Sequence, residues 1–164
     1  ANAKLALSVR TGLRPERIEI FISPEELDRA LRKIKETKTR KVIRLEVASN
    51  AVIGERIDCK IEVHDSVLVY RKGEVLASEF VAKSLNEAEA EQALYNLLRQ
   101  VNLKAQRDGV IPDPITGTVG NIEATEFFDV VDGLSEAKPP FTISVIADSD
   151  IYTEGPVRVK IEID

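Results

Sequence analysis

The sequence predicts a mixed α/β fold, an antiparallel-rich sheet covered by one long and two shorter helices. Strand-period alternation recurs along most of the chain, helix-start signals fall between the alternating stretches, and one pattern occurs twice. Ser49-Asn50, Gly54-Glu55 and Ile57-Asp-Cys-Lys-Ile-Glu-Val63 are echoed one hundred positions on by Ser149-Asp150, Glu154-Gly155 and Val157-Arg-Val-Lys-Ile-Glu-Ile163. In both strands the odd positions are apolar or small and the even ones polar, the period of a strand buried on one face. A short amphipathic helical pattern and an apolar strand pattern precede each copy. An α-β-loop-β unit used twice is therefore expected, with residues 41–63 and 141–163 superposing. The alternative is that two half-buried strands share a period and nothing more.

Taken in order, Lys4 to Arg10 and Arg17 to Ile22 alternate as two short strands around Thr11-Gly-Leu-Arg-Pro15. Ser23-Pro24-Glu25-Glu26 then combines an N-cap, Pro at the first helical position and a capping-box Glu. The helix behind it carries the stripe Leu27, Ala30, Leu31, Ile34, with Arg29, Arg32 and Lys33 on the opposite side. Lys41 to Val52 returns to β-rich sequence, and Ile57 to His64 is the first echoed strand. Arg71-Lys72-Gly73-Glu74 between Val67–Tyr70 and Val75–Val81 predicts a hairpin, and hence a three-strand antiparallel meander over 57–81.

The longest helix is expected over Ser84 to Arg107, with Ser84 and Glu87 as a capping box and Gly109 beyond its end. Its stripe is Ala90, Leu94, Leu97, Val101 and Ala105. Tyr95 and Leu103 fall on the far side, where cover by the loop Val110 to Val119 is expected and self-association is the alternative. Pro112, Pro114, Gly117 and Gly120 punctuate that loop, which keeps enough apolar residues to be structured. Phe127, Val130, Val131 and Leu134 fit one face of a third helix, and Phe141 to Ala147 and Val157 to Ile163 are the closing strands.

The chain has 164 residues, 43% hydrophobic and 31% charged, enough for one core burying roughly 70% of the unfolded surface. One compact domain is the expectation, with lobes 1–55 and 56–164 as the alternative division. No run of residues is long and apolar enough to span a membrane, and methionine is absent even at the start, so a piece of a longer protein is expected. One cysteine permits no intrachain disulfide. The net charge of −5 argues against coating nucleic acid with the whole surface. Charge is nevertheless uneven: eight bases (Arg29, Arg32, Lys33, Lys35, Lys38, Arg40, Lys41, Arg44) face only Glu36 between positions 29 and 44.

Four phrases carry a resemblance: Ala48-Ser-Asn-Ala-Val-Ile-Gly-Glu55, Leu68-Val-Tyr-Arg-Lys-Gly-Glu-Val-Leu-Ala77, Asp108-Gly-Val-Ile-Pro-Asp-Pro114 and Asp150-Ile-Tyr-Thr-Glu-Gly-Pro-Val157. From about Arg17 onward the chain resembles the C-terminal region of a family of uncharacterised cyanobacterial proteins. In that family membrane helices and a long coiled coil precede this domain. The resemblance implies architecture and a further N-terminal part, and no activity.

Chemistry is thinly represented. One His and one Cys cannot supply the usual zinc ligands, and Cys59 and His64, five apart on a strand, project to opposite faces. No phosphate-binding loop, nucleophile elbow or dinucleotide fingerprint is present. Asp148, Asp150 and Glu154 are weak candidates for a divalent cation without the spacing of a calcium loop. The order from the meander onward matches ribonuclease H-like folds, which makes Asp58 and Asp113 weak candidates for a two-metal nuclease. Arg29, Arg32, Lys33, Arg40 and Lys41 could meet phosphates of nucleic acid or anionic lipid, although no aromatic residue is interleaved for stacking on bases.

The expected function is a non-catalytic interaction or structural module, cytoplasmic, tethered to a membrane through the N-terminal part. A metal-dependent nuclease is the alternative, and anionic-surface binding through the basic helix is third. No cofactor and no small-molecule substrate are expected. A protein partner or self-association is.

Overall fold

The structure, a computed structural model, describes residues 14, 19–48 and 56–164. The strand expected at Lys4 to Arg10, the start of that at Arg17, and the loop 49–55 lie outside the described residues. The chain divides into two compact units, Ala1–Ser66 and Val67–Asp164.

The first unit contains β1 (Ile20–Phe21), α1 (Pro24–Glu36), β2 (Lys41–Val47) and β3 (Ile57–Asp65). β3 is central, parallel to β1 and antiparallel to β2. α1 starts where Ser23 and Pro24 place it, and the Ser23 hydroxyl accepts the Glu26 amide at 3.1 Å. The reciprocal half of the expected capping box is not made. The Glu26 carboxylate instead meets Arg29 at 2.5 Å and accepts from the Ile61 amide at 3.4 Å, because its own helix offers a guanidinium three residues on and packing on β3 offers a strand amide. Ala30, Cys59 and Val63 are the buried apolar residues described in this unit.

The second unit contains β4 (Leu68–Tyr70), β5 (Val75–Val81), α2 (Glu87–Arg107), α3 (Ala124–Glu136), β6 (Phe141–Ala147), β7 (Ile151–Tyr152) and β8 (Val159–Ile163). β5, β6 and β8 form an antiparallel sheet in the order β5-β6-β8, and β4 pairs separately with β7. The mixed, antiparallel-rich α/β class with one long and two shorter helices is what the structure shows.

The meander over 57–81 is not formed, and β3, β4 and β5 belong to three different sheets. Gly73 does take the positive φ that the turn requires, +85°. The strands on either side of it part, because Gly73 donates to the Ala147 carbonyl at 2.8 Å and Ala147 donates to the Glu74 carbonyl at 2.9 Å, zipping β5 onto β6. With the meander goes the sheet order of a ribonuclease H-like fold.

α2 starts at Asn86, not at Ser84. The Asn86 side chain accepts from the Glu89 amide and the Glu89 carboxylate from the Asn86 amide, both at 3.0 Å, a complete capping box that Ser84 with Glu87 does not match. At the other end Gly109, φ +105°, lets Val110 donate to Ala105 and Gly109 to Gln106, a Schellman closure. The stripe Ala90, Leu94, Leu97, Val101, Ala105 is buried, and α2 packs on α3, β5 and β6.

Tyr95 and Leu103 are exposed, so the expected cover by Val110 to Val119 is not provided. The loop is held to α2 by polar contacts: Asn102 accepts from the Val119 amide at 2.9 Å and Gln106 donates to the Gly117 carbonyl at 3.1 Å. Val110 and Val119 turn into the core instead of over the helix.

Where both copies are described, they share element boundaries and strand register at an offset of one hundred. Helices 24–36 and 124–136, and strands 41–47 and 141–147, share boundaries. Val47 pairs with Cys59 and Ala147 with Val159, and Ile43 pairs with Val63 and Ile143 with Ile163. Ala48 donates to Asp58 and Asp148 to Arg158; Ile57 donates to Glu19 and Val157 to Val119. Local sequence and register are thus repeated together.

Candidate functional site

In the first unit, α1 covers only part of the sheet. β2 is an edge strand among the described residues, and its odd side chains Ile43, Leu45 and Val47 lie on the same face as Val63, Ile61 and Cys59 opposite them. The even residues are the hydrogen-bonded pairs, since Ala48 donates to Asp58 and Ser66 to Arg40, so the amide and carbonyl of Ile61 point away from β2. Glu26 and Arg29 hold those two groups. α1 is therefore anchored on the far side of β3 and turns its other flank, Leu27 and Leu31, towards β2. The result is an apolar groove with one helical and one stranded wall, its side chains Leu27, Leu31, Ile43, Leu45 and Val47 all exposed.

In the second unit a cleft of about 620 Å³ opens beside α2, with Tyr95, Leu98, Ile122 and Phe127 as apolar lining and Arg99 and Glu123 among its polar residues. Elsewhere in this unit the buried Tyr70 donates to the Asp108 carboxylate at 2.5 Å, and Lys104 lies 4.6 Å above the Tyr70 ring. Burial and then the Asp108 bond push the phenol well above its ordinary range, while that bond holds the Asp108 carboxyl low. The pair fastens β4 to the end of α2 and leaves neither group poised for proton transfer near neutrality.

The residues singled out from sequence are placed as follows. Asp58 pairs with Arg56 at 3.0 Å. Asp113, in the second unit, accepts from the amides of Ile115 and Thr116 at 2.8 and 3.0 Å, an Asx turn shaping its own loop. Asp150 accepts from the Lys72 amide at 2.9 Å, Asp148 is exposed, and Glu154 is half-buried. Among the described residues no three His, Cys, Asp or Glu side chains group so as to hold a metal ion.

Of the basic residues, Arg29 pairs with Glu26 while Arg32, Lys33 and Arg40 are exposed. Lys41 does not face outward: its ammonium meets Asp65, whose carboxylate also accepts from Thr37 and Thr39. The Lys41 bond, then the two threonines, bring the Asp65 carboxyl down to about 2. Cys59 is buried, and burial followed by the neighbouring Asp58 charge raises its thiol, which disfavours a thiolate nucleophile.

Sequence reasoning missed the groove, because apolar alternation in 41–47 reads as a buried face. The signal that could have found it is the size of α1: one amphipathic helix of 13 residues is narrow cover for two strands.

No described helix is long and apolar enough to cross a membrane. The family model described as "DUF3084-associated C-terminal helical hairpin" matches residues 70–163, more than half of the chain. The chain is also 30% identical over 164 residues to an uncharacterized protein of Nostoc sp. (strain PCC 7120), alr4393. That match covers 98% of this chain and 31% of the relative, so the chain spans about a third of its length. No solved structure matches. With α2 and α3 packed against each other inside the matched region, the chain belongs to the family of the DUF3084-associated C-terminal helical hairpin.

Proposed function

We propose that this chain is a non-catalytic interaction module at the C-terminal end of a longer protein, in which a membrane anchor and a coiled coil precede it and hold it at the cytoplasmic side. The exposed apolar groove of the first unit carries this reading. Five large exposed apolar side chains on neighbouring elements are costly to leave in water, each worth roughly 1.5–3 kcal/mol on full burial, and such patches mark interaction sites. The much longer relative and the resemblance to anchored coiled-coil proteins support the remainder.

The test is site-specific photo-crosslinking in the full-length protein within its native cells. A benzoylphenylalanine at Leu45 should give discrete adducts, and one at the exposed Glu79 should not. Equal labelling at both positions, or none at Leu45, would overturn the module reading. Magnesium- or manganese-dependent cleavage of nucleic acid by the chain, lost in Asp58→Asn or Asp113→Asn with the fold kept, would overturn its non-catalytic part.

A further inference from the structure

The cleft beside α2 lies wholly in the second unit, all of whose residues are described, and measures about 620 Å³. That is the size of a small-molecule site. The buried core residues Val101, Val119 and Val157 line it together with the half-buried Leu98, Ile122 and Phe127. Such a lining takes an apolar body.

The polar groups around it are unspent. Arg99 and Glu123 both line the cleft, yet neither makes a hydrogen bond or ion pair with any described residue, the other included. Glu123 stands at the N-cap of α3 without capping it. The backbone of Gly120, Asn121 and Ile122, which forms part of the same wall, makes no hydrogen bond among the described residues either. In the first copy the equivalent Ile20 and Phe21 are paired with β3 as β1. The second copy thus leaves open main-chain groups that the first has satisfied.

Spacing then selects the ligand. Gln106 holds the Gly117 carbonyl and Asn102 the Val119 amide, so one turn back along α2 matches about two residues forward along the wall, roughly 6–7 Å by either count. Arg99 accordingly stands level with about position 121, and Glu123 lies roughly 7 Å further along. A single amino acid carries its ammonium and carboxylate on one carbon, too close together to reach both. A dipeptide puts a Cα–Cα step of about 3.8 Å between the carbons that carry them, which sets its charged ends roughly 6–7 Å apart, and it brings a peptide group to the open backbone of the wall. A ligand of one sign alone would leave Arg99 or Glu123 unmatched.

We infer that this cleft binds a free apolar dipeptide. Its ammonium pairs with Glu123, its carboxylate with Arg99, and its side chains rest on Leu98, Ile122 and Phe127. The site goes beyond the interaction-module reading and lies in the other unit, so either can fail alone.

The probe is leucyl-leucine, titrated into the isotope-labelled whole chain and followed by backbone amide chemical shifts. The amides of Asn121 and Ile122 should move saturably. N-acetyl-leucyl-leucine and leucyl-leucine amide should each bind about fivefold or more weakly, through loss of one charge pair apiece. Arg99→Gln should abolish the penalty for the amide and keep that for the acetyl compound, and Glu123→Gln should do the reverse. Both residues are exposed, so the melting curves should stay unchanged. No saturable shift at millimolar dipeptide overturns the inference. So do shifts that map away from the cleft, or penalties that both variants leave unmoved. If the doubly blocked N-acetyl-leucyl-leucine amide binds as tightly as the free dipeptide, the cleft takes an internal stretch of polypeptide and the free dipeptide falls.

Discussion

Helix α1 with β2 and β3, and helix α3 with β6 and β8, are one backbone design in two settings. Their strand registers agree pair for pair, yet Ile143, Val145 and Ala147 are fully buried while Ile43, Leu45 and Val47 stand exposed. What differs is what has been added. In the second setting β5 pairs along the outer edge of β6 and α2 lies across the face, whereas in the first the corresponding edge of β2 has no strand partner among the described residues. Hydrophobic burial is set by area removed from water and not by the backbone alone, so one local structure supports a core in one place and an open seat in the other.

A second difference sits at the hydrogen bond that both copies share. Ile57 donates to Glu19 and Val157 to Val119, each at 2.8 Å, but the next residue is Ile20 in one copy and Gly120 in the other. A Cβ on Gly120 would lie 2.2 Å from the Val157 carbonyl oxygen. The second copy draws its segments closer together than a side chain allows, as suits the more densely packed unit.

The sharpest way to break the comparison is paired truncation. Ile143→Ala, at a fully buried site, should cost about 2–5 kcal/mol, and Ile43→Ala within about 0.5 kcal/mol. Urea unfolding followed by tyrosine emission reports the second unit, where Tyr70, Tyr95 and Tyr152 all lie, and circular dichroism reports both units. Similar losses from the two variants would mean that the first face is covered in solution.

Next in size is Gly120→Ala. The clash is with backbone, which cannot swing aside as a side-chain end can, so a loss of about 1–3 kcal/mol is expected from forced displacement. Ile20→Ala, at the equivalent position, should leave the Ile57 amide protected in hydrogen exchange, whereas Gly120→Ala should expose that of Val157. Equal protection in both variants would remove this distinction between the copies.

The helix starts offer a smaller contrast. Ser23 caps α1 through its hydroxyl, while Glu123 makes no side-chain cap bond to α3. Ser23→Ala should therefore cost about 1 kcal/mol and Glu123→Ala close to nothing, read from thermal melting of each variant. A loss at Glu123 as large as that at Ser23 would show a cap formed in solution that the structure lacks.

The smallest expected effect is on acid stability. The folded Asp65 carboxyl is depressed from 3.8 to about 2 by Lys41, Thr39 and Thr37. Its contribution is thus present above the unfolded value and lost as pH falls through the folded one. The first unit should lose this small increment between about pH 4 and about pH 2, and Asp65→Asn should flatten the loss in circular dichroism. An unchanged acid profile would show that the contact is screened away by solvent.

The elements themselves were legible in the sequence because their signals are local. Ser23-Pro24 marked the start of α1, the stripe from Ala90 to Ala105 gave the buried face of α2, and the alternation through Ile57 to Val63 and Val157 to Ile163 gave strands with matching faces. The hundred-residue echo pointed to one unit used twice. Partner choice was not legible, since Leu68–Tyr70 pairs with Ile151–Tyr152 and Val75–Val81 with Phe141–Ile146 across long stretches of chain, and a turn glycine at position 73 fits a hairpin and a parting of strands equally well. Asn86 displaced Ser84 as the cap because only one of the two completes the reciprocal pair with a Glu three residues on. Nor could alternation distinguish Ile43 from Ile143: a period of two states which side of a strand is apolar, and only the packed chain decides whether a helix arrives to cover it.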